Sequence, residues 1–192
     1  MRETGGAHKS EPREGAFQTA LFDLRFMLFR KRPLKIQFTK RADGSAILKC
    51  VRTDASETWQ RQREKNAAFF PLHDLTHYAV ETELNFRRGF YGLMADGWDI
   101  EETTGKTARG PLPDEAIEVE YLVSAFSAER AGGTVSSPEE FNGHAASFAR
   151  SKGMSEPRRL TEEELQRVRA RYDELAMKWQ NLAPEATLEL AF

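Results

Sequence analysis

The sequence predicts an α+β fold: a small antiparallel sheet, made of an N-terminal three-stranded meander plus a C-terminal strand, packed with four to five helices. Three observations carry this. Alternating segments between residues 34 and 62 are separated by turn signals, Ser137 and Thr161 each open a capping box, and the last six residues alternate again.

The elements follow in chain order. Residues 1–15 are rich in Gly, Glu, Arg and Ser and read as a disordered arm. Phe17, Ala20, Leu21, Leu24, Met27 and Leu28 fall at helical spacing, which predicts a short amphipathic helix over 16–29. The alternative is translation from Met27. The expected organisation is an arm with a short helix over 1–33 and a single α+β domain over 34–192. From Leu34 apolar and polar residues alternate, Asp43-Gly44 turns the chain, and Ala46–Arg52 returns. A turn at Thr53–Ser56 leads to a third strand, Glu57–Gln62.

Pro71 predicts a helix start, since proline is tolerated in the first turn, and Arg87-Arg88-Gly89 predicts its end near Phe86. Phe90–Ala95 adds one or two turns, closed by Asp96-Gly97. Residues 99–112 read as a loop long enough to be a lid or site wall. Pro113-Asp114 opens a helix to about Ala131, stopped by Gly132-Gly133. The capping box Ser137…Glu140 starts a helix to about Arg150. The box Thr161…Glu164, with Leu160 and Leu165 placed as a hydrophobic staple, starts another to about Asn181. Thr187–Phe192 is the terminal strand and joins the first three.

Composition narrows the function classes. The net charge of −2 conceals a basic front, with 15 Lys/Arg against 8 Asp/Glu over 1–66, and an acidic remainder, with 13 against 22. Nucleic-acid binders present a net basic domain, so nucleic acid is not expected as a partner. The 16–29 segment is too short and too charged to span a bilayer, and no membrane partner is expected. Cys50, the one cysteine, reads as a buried thiol on a strand. With no basic, apolar leader at the start, a cytoplasmic, reducing location is expected. The chain carries no signal of oligomeric state.

The pointed chemistry lies in His73-Asp74-Leu75-Thr76-His77. Residues four apart share a helix face, so His73, His77 and Glu81 stack. Two imidazoles in that register can hold one divalent cation, zinc first among them. Leu72, Leu75, Ala79 and Phe86 occupy a different arc from Val80 and Leu84, so the helix is apolar on two sides and buried. Asp74 and Glu81 lie on the neighbouring flank. They are the candidates for proton handling, as acceptors for the imidazoles or as a general base toward a metal-bound water. The third ligand is expected from the 114–131 helix. Glu118 comes first, because it shares an azimuth with Glu129 and a carboxylate on an apolar face suits a ligand. Glu129 and Glu81 are alternatives, and Glu120, on another side, is the weaker one. His8 and His144 are not expected to bind.

The stretch Ala68–Glu81, with Arg87–Leu93 and Gly97–Ile100, resembles a family of bacterial proteins marked by a central His-Asp-Leu-Thr-His-Tyr-Ala-Val-Glu motif, to which no activity is assigned. The resemblance runs from about Leu34 to the end. The His-Asp-x-x-His pair is also similar to that of a coenzyme Q biosynthesis protein. That pattern has a glutamate twelve residues after the second histidine, where this chain has Gly89. It is similar as well to the His-Glu-x-x-His of zincin peptidases, with Asp74 in place of the glutamate.

The functional expectation is a divalent-metal site on His73, His77 and Glu118 in a hydrolase or lyase acting on a small-molecule substrate. The alternative is a non-enzymatic interaction protein whose histidines are structural hydrogen-bonding elements.

Overall fold

The computed structural model describes Met1 and residues 33–63, 65–106 and 109–192. The expected arm, the 16–29 helix and the alternative start at Met27 lie outside these residues. All the elements below belong to the compact unit Lys31–Phe192.

The strands are β1 (Leu34–Lys40), β2 (Ala46–Arg52), β3 (Glu57–Gln62) and β4 (Thr187–Ala191). The helices are α1 (Lys65–Glu83), α2 (Phe90–Ala95), α3 (Asp114–Gly132), α4 (Pro138–Ser151) and α5 (Glu162–Gln180), with a 3₁₀ turn at Ile100–Thr104. The architecture is therefore α+β, with an antiparallel sheet in the order β3-β2-β1-β4. The C-terminal strand joins at the free edge of β1, where Phe38 faces Leu48 on one side and Leu188 on the other.

Alternation is what folds the sheet. Leu34, Ile36 and Phe38 on β1 and Ala46, Leu48 and Cys50 on β2 all point to the buried face. The thiol of Cys50 is thus a core group. The first turn uses Gly44 at φ 78°, while the Asp43 carboxylate accepts from the Ser45 N–H and hydroxyl. The second turn places Ala55 at φ 65° and repeats the device with Asp54 and Ser56.

Helix α1 departs from the sequence reading at both ends. It begins at Lys65, so Pro71 lies inside it rather than in its first turn. Proline there removes one i→i−4 bond, a cost offset by burial of Leu75, Ala79 and Val80. Its end is set by Asn85 in the left-handed conformation, φ 59°, ahead of the Arg87-Arg88-Gly89 signal.

Two apolar clusters meet on α1. One joins Leu75 to the sheet, to Tyr91 and Met94 of α2 and to Leu175 and Trp179 of α5. The other joins Ala79 and Val80 to Val119, Leu122, Val123 and Phe126 of α3, to Phe141 of α4 and to Leu165 and Val168 of α5. A helix between two layers is buried nearly all round, which is the two-sided apolar pattern read from its sequence.

Both capping boxes form as read. Ser137 and Glu140 exchange bonds, as do Thr161 and Glu164. Leu160 and Leu165 are both buried, as a staple requires. No helix among the described residues is long and apolar enough to cross a membrane.

The described part of the segment 99–112, expected as a lid or site wall, is held by contacts with β3 and the end of α2 rather than with the histidines. Asp99 and Glu102 cap the 3₁₀ turn, and the Ile100 N–H donates to Thr58 of β3 at 3.0 Å. Arg109 lies over the Trp98 ring and donates to Gly97 O and Glu102. These bonds hold the described part of the segment against β3 and α2.

Candidate metal centre

The burial of α1 sets the terms for its polar side chains: Asp74, Thr76, His77 and Glu81 are all buried. A buried polar group needs a partner or carries a penalty. Thr76 turns its hydroxyl back to the Leu72 carbonyl at 2.8 Å. Asp74 accepts from Gln62 of β3 at 3.2 Å. Glu81 accepts from the N–H groups of Tyr91, at 3.1 Å, and Gly92, at 3.2 Å. It thereby supplies acceptors to the free N–H groups that open α2.

The histidines find less. The rings of His73 and His77 lie 4.9 Å apart, one turn along α1. His73 Nδ1 stands 3.5 Å from Asp74 Oδ1, and His77 Nδ1 stands 3.6 Å from Glu81 Oε1. Across the helix interface, His77 Nε2 stands 3.3 Å from Glu120 Oε1 of α3. None of these contacts has both the length and the alignment of a hydrogen bond, so His73 Nδ1 and both nitrogens of His77 are buried without a hydrogen-bond partner among the described residues. Phe69, Phe70 and Phe90 flank the imidazoles with their rings.

Charge accumulates at this point. Burial alone would lower the pKa of His77, but Glu120 and then Glu81 outweigh it and raise the value to about 10. Burial likewise works against the Glu120 carboxylate, yet His77 and His73 hold it below its ordinary value.

Ligand atoms of His73, His77 and Glu120 lie within 4.8 Å of one another. Tetrahedral ligands at 2.0–2.2 Å from an ion stand about 3.3–3.6 Å apart, so the His77–Glu120 pair is already at that spacing. The third vertex needs a side-chain movement of about an ångström to match those lengths. The carboxylates of Asp74 and Glu81 face the Nδ1 atoms, the places at which an acceptor orients a metal-bound imidazole.

The structure thus brings His73, His77, Asp74 and Glu81 together and reorders the glutamates of α3. Glu118 does not join the cluster: its carboxylate accepts from the Arg158 N–H at 2.9 Å, toward α5. Glu129 is buried, but Arg169 of α5 binds both its oxygens, at 2.9 and 2.8 Å. The carboxylate on an apolar face was there, and an arginine from a distant helix is its reason. Glu120 meets the histidines from the flank. It shares its face of α3 with Ser124, Ser127 and Ala131, a small, polar seam in which bulky imidazoles from a neighbouring helix fit. That seam was the available signal.

Gly89 occupies the position at which the coenzyme Q pattern has its glutamate. A Cβ there would overlap the Glu81 carboxyl group. The two positions therefore compete for one space, and in this chain residue 81 fills it. Comparisons with protein-family models, with curated proteins and with solved structures give no match to this chain.

Proposed function

We propose that the chain holds one divalent metal ion, zinc in the first instance, on His73, His77 and Glu120, and that it is a metal-dependent hydrolase or lyase. The observation that carries this is His77 Nε2, buried without a hydrogen-bond partner among the described residues and grouped with the His73 imidazole and a carboxylate from a second helix. Three protein ligands leave a fourth position for water or substrate, the pattern of catalytic rather than structural zinc. The ion would supply Lewis acidity, polarising a substrate oxygen or activating water. Asp74 and Glu81 are positioning residues in this reading. Each faces an Nδ1 and keeps the opposite nitrogen directed at the ion.

Metal analysis of protein purified without a nickel column is the test, with about one ion per chain expected. Absence of bound metal, together with no rise in melting temperature on adding zinc, iron or manganese, sinks the proposal.

One observation favours a second reading. The 3.3 Å approach of His77 to Glu120 makes an imidazolium held between two carboxylates a direct tie between α1 and α3. In that reading the protein is a non-enzymatic interaction protein. His77→Ala then lowers stability by the same amount with and without zinc, and removal of residues 1–30 abolishes partner binding. A zinc-dependent difference in the first measurement excludes it.

A further inference from the structure

Beside the histidines lies a cation with no direct ion pair among the described residues. An open cavity of about 240 Å³ is bounded by Ala68, Phe69, Leu72 and His73 of α1, Arg130 of α3 and Tyr172 of α5. The Arg130 guanidinium stacks 3.9 Å from the Tyr172 ring. Its Nη2 donates to the hydroxyls of Thr76, at 2.7 Å, and Ser127, at 3.3 Å. These are neutral acceptors. Nε and Nη1 make no hydrogen bond among the described residues, and no carboxylate there lies within ion-pair distance, Glu129 and Asp173 acting on the guanidinium only from farther off. Glu129, its neighbour in sequence, is already taken by Arg169. A half-buried guanidinium with free donors and a stacked face is suited to bidentate recognition of a carboxylate or phosphate.

Position adds the second half of the argument. Thr76, which holds Arg130, precedes His77 and follows His73 by three residues, so the guanidinium is anchored within one helical turn of both imidazoles. The remaining walls are apolar and aromatic. The volume falls below the range of about 300–1,000 Å³ typical of drug-sized ligands, which selects a small molecule.

We infer that this cavity binds a small organic anion, a carboxylate or phosphate on an apolar or aromatic body. The anionic group sits on Arg130 and the body lies against Phe69, Leu72 and Tyr172. The anion pocket shares only His73 with the proposed metal site and does not depend on a bound ion; that the ligand is also the substrate rests on the metal reading above.

The test titrates the full chain, metal-free and zinc-loaded, with phenylacetate, phenyl phosphate, neutral phenylacetamide and inorganic phosphate. The expected result is binding of phenylacetate or phenyl phosphate at least tenfold tighter than either phenylacetamide or inorganic phosphate. Whichever of the two binds tighter identifies the anionic group. Arg130→Gln should weaken that binding at least tenfold and leave zinc affinity unchanged. Ala68→Trp, at an exposed position on the rim, should weaken it similarly without touching the guanidinium, which covers the case of an Arg130 variant that fails to fold. The inference is overturned if phenylacetamide or inorganic phosphate binds as tightly as the best probe, or if Ala68→Trp binds that probe like the parent protein. Zinc titration of the same samples separates the two claims. Probe binding without zinc binding removes the metal reading and keeps the pocket. Zinc binding without probe binding does the reverse.

Discussion

Helix α3 carries two glutamates, nine residues apart, that meet other helices in opposite ways. Glu129 is closed: Arg169 binds both oxygens, the Ser136 N–H donates at 3.1 Å, and the arginine also reaches the Ser136 carbonyl. Every strong group there has a partner from the protein. Glu120 is open: it faces His77 at 3.3 Å without an aligned hydrogen bond, and its side chain remains 47% exposed. Buried ion pairs that serve only structure are saturated, because an unpaired buried charge is costly. At the open centre the unsatisfied buried groups are the imidazole nitrogens, which face a half-exposed carboxylate, and this is the difference on which the proposed metal site rests.

Breaking the closed centre should give the largest effect. Glu129→Ala leaves the largely buried Arg169 with only the Ser136 carbonyl and a 3.9 Å contact to Glu162, and is expected to cost about 3 kcal/mol in stability. Denaturant titration measures it, and zinc affinity should not change. A cost near zero would mean that the closed centre is no more structural than the open one.

Opening Glu120 should do the converse. Glu120→Gln removes a ligand, so the stabilisation by zinc is lost, about 2.7 kcal/mol at a hundredfold excess over Kd. Thermal unfolding with and without zinc reads this directly. A variant that keeps the full zinc-dependent shift would exclude Glu120 from the site.

Glu81→Gln tests the positioning role. The amide retains an acceptor for Tyr91 and Gly92 but loses the charge facing His77, and zinc affinity should fall about 10–100-fold. An unchanged affinity would restrict Glu81 to capping α2.

The smallest step is set by pH. His77 is raised from 6.5 to about 10 in the metal-free protein. A raised folded-state value contributes stability that is complete below 6.5 and is lost as pH rises through about 10. Metal requires the neutral ring, so zinc affinity should run the other way, rising up to tenfold per pH unit, about 1.4 kcal/mol, across the same window. Calorimetry in buffers of different ionisation enthalpy should show proton release on binding. Parallel rather than opposite trends would contradict the assignment of His77 as a ligand.

Much of the fold was legible because its signals are local. β2 and β3 have the bounds that alternation and turn residues predict. The capping boxes are satisfied within four residues of chain, so their sequence contains both partners. The start of α1 was not legible. Pro71 looks like a first-turn residue by propensity, and only packing against the sheet and α3 sustains the helix through it. Where the described part of 99–112 is held was not legible for a similar reason. Its bonds to Thr58 and Trp98 depend on where β3 and α2 lie.

The candidate site divides along the same line. Helical periodicity by itself placed His73, His77, Asp74 and Glu81 side by side, since residues three, four and seven apart on one helix must be neighbours. It also placed the pair on a helix buried from two sides. The tertiary structure decided which glutamate faces them. Glu118, Glu120 and Glu129 are equivalent in charge and lie on one helix, and their order depends on the rotation of α3 against α1 and on where α5 and the segment before it deliver Arg169 and Arg158. Those contacts join residues 40 or more positions apart, and no pattern within a helix encodes them.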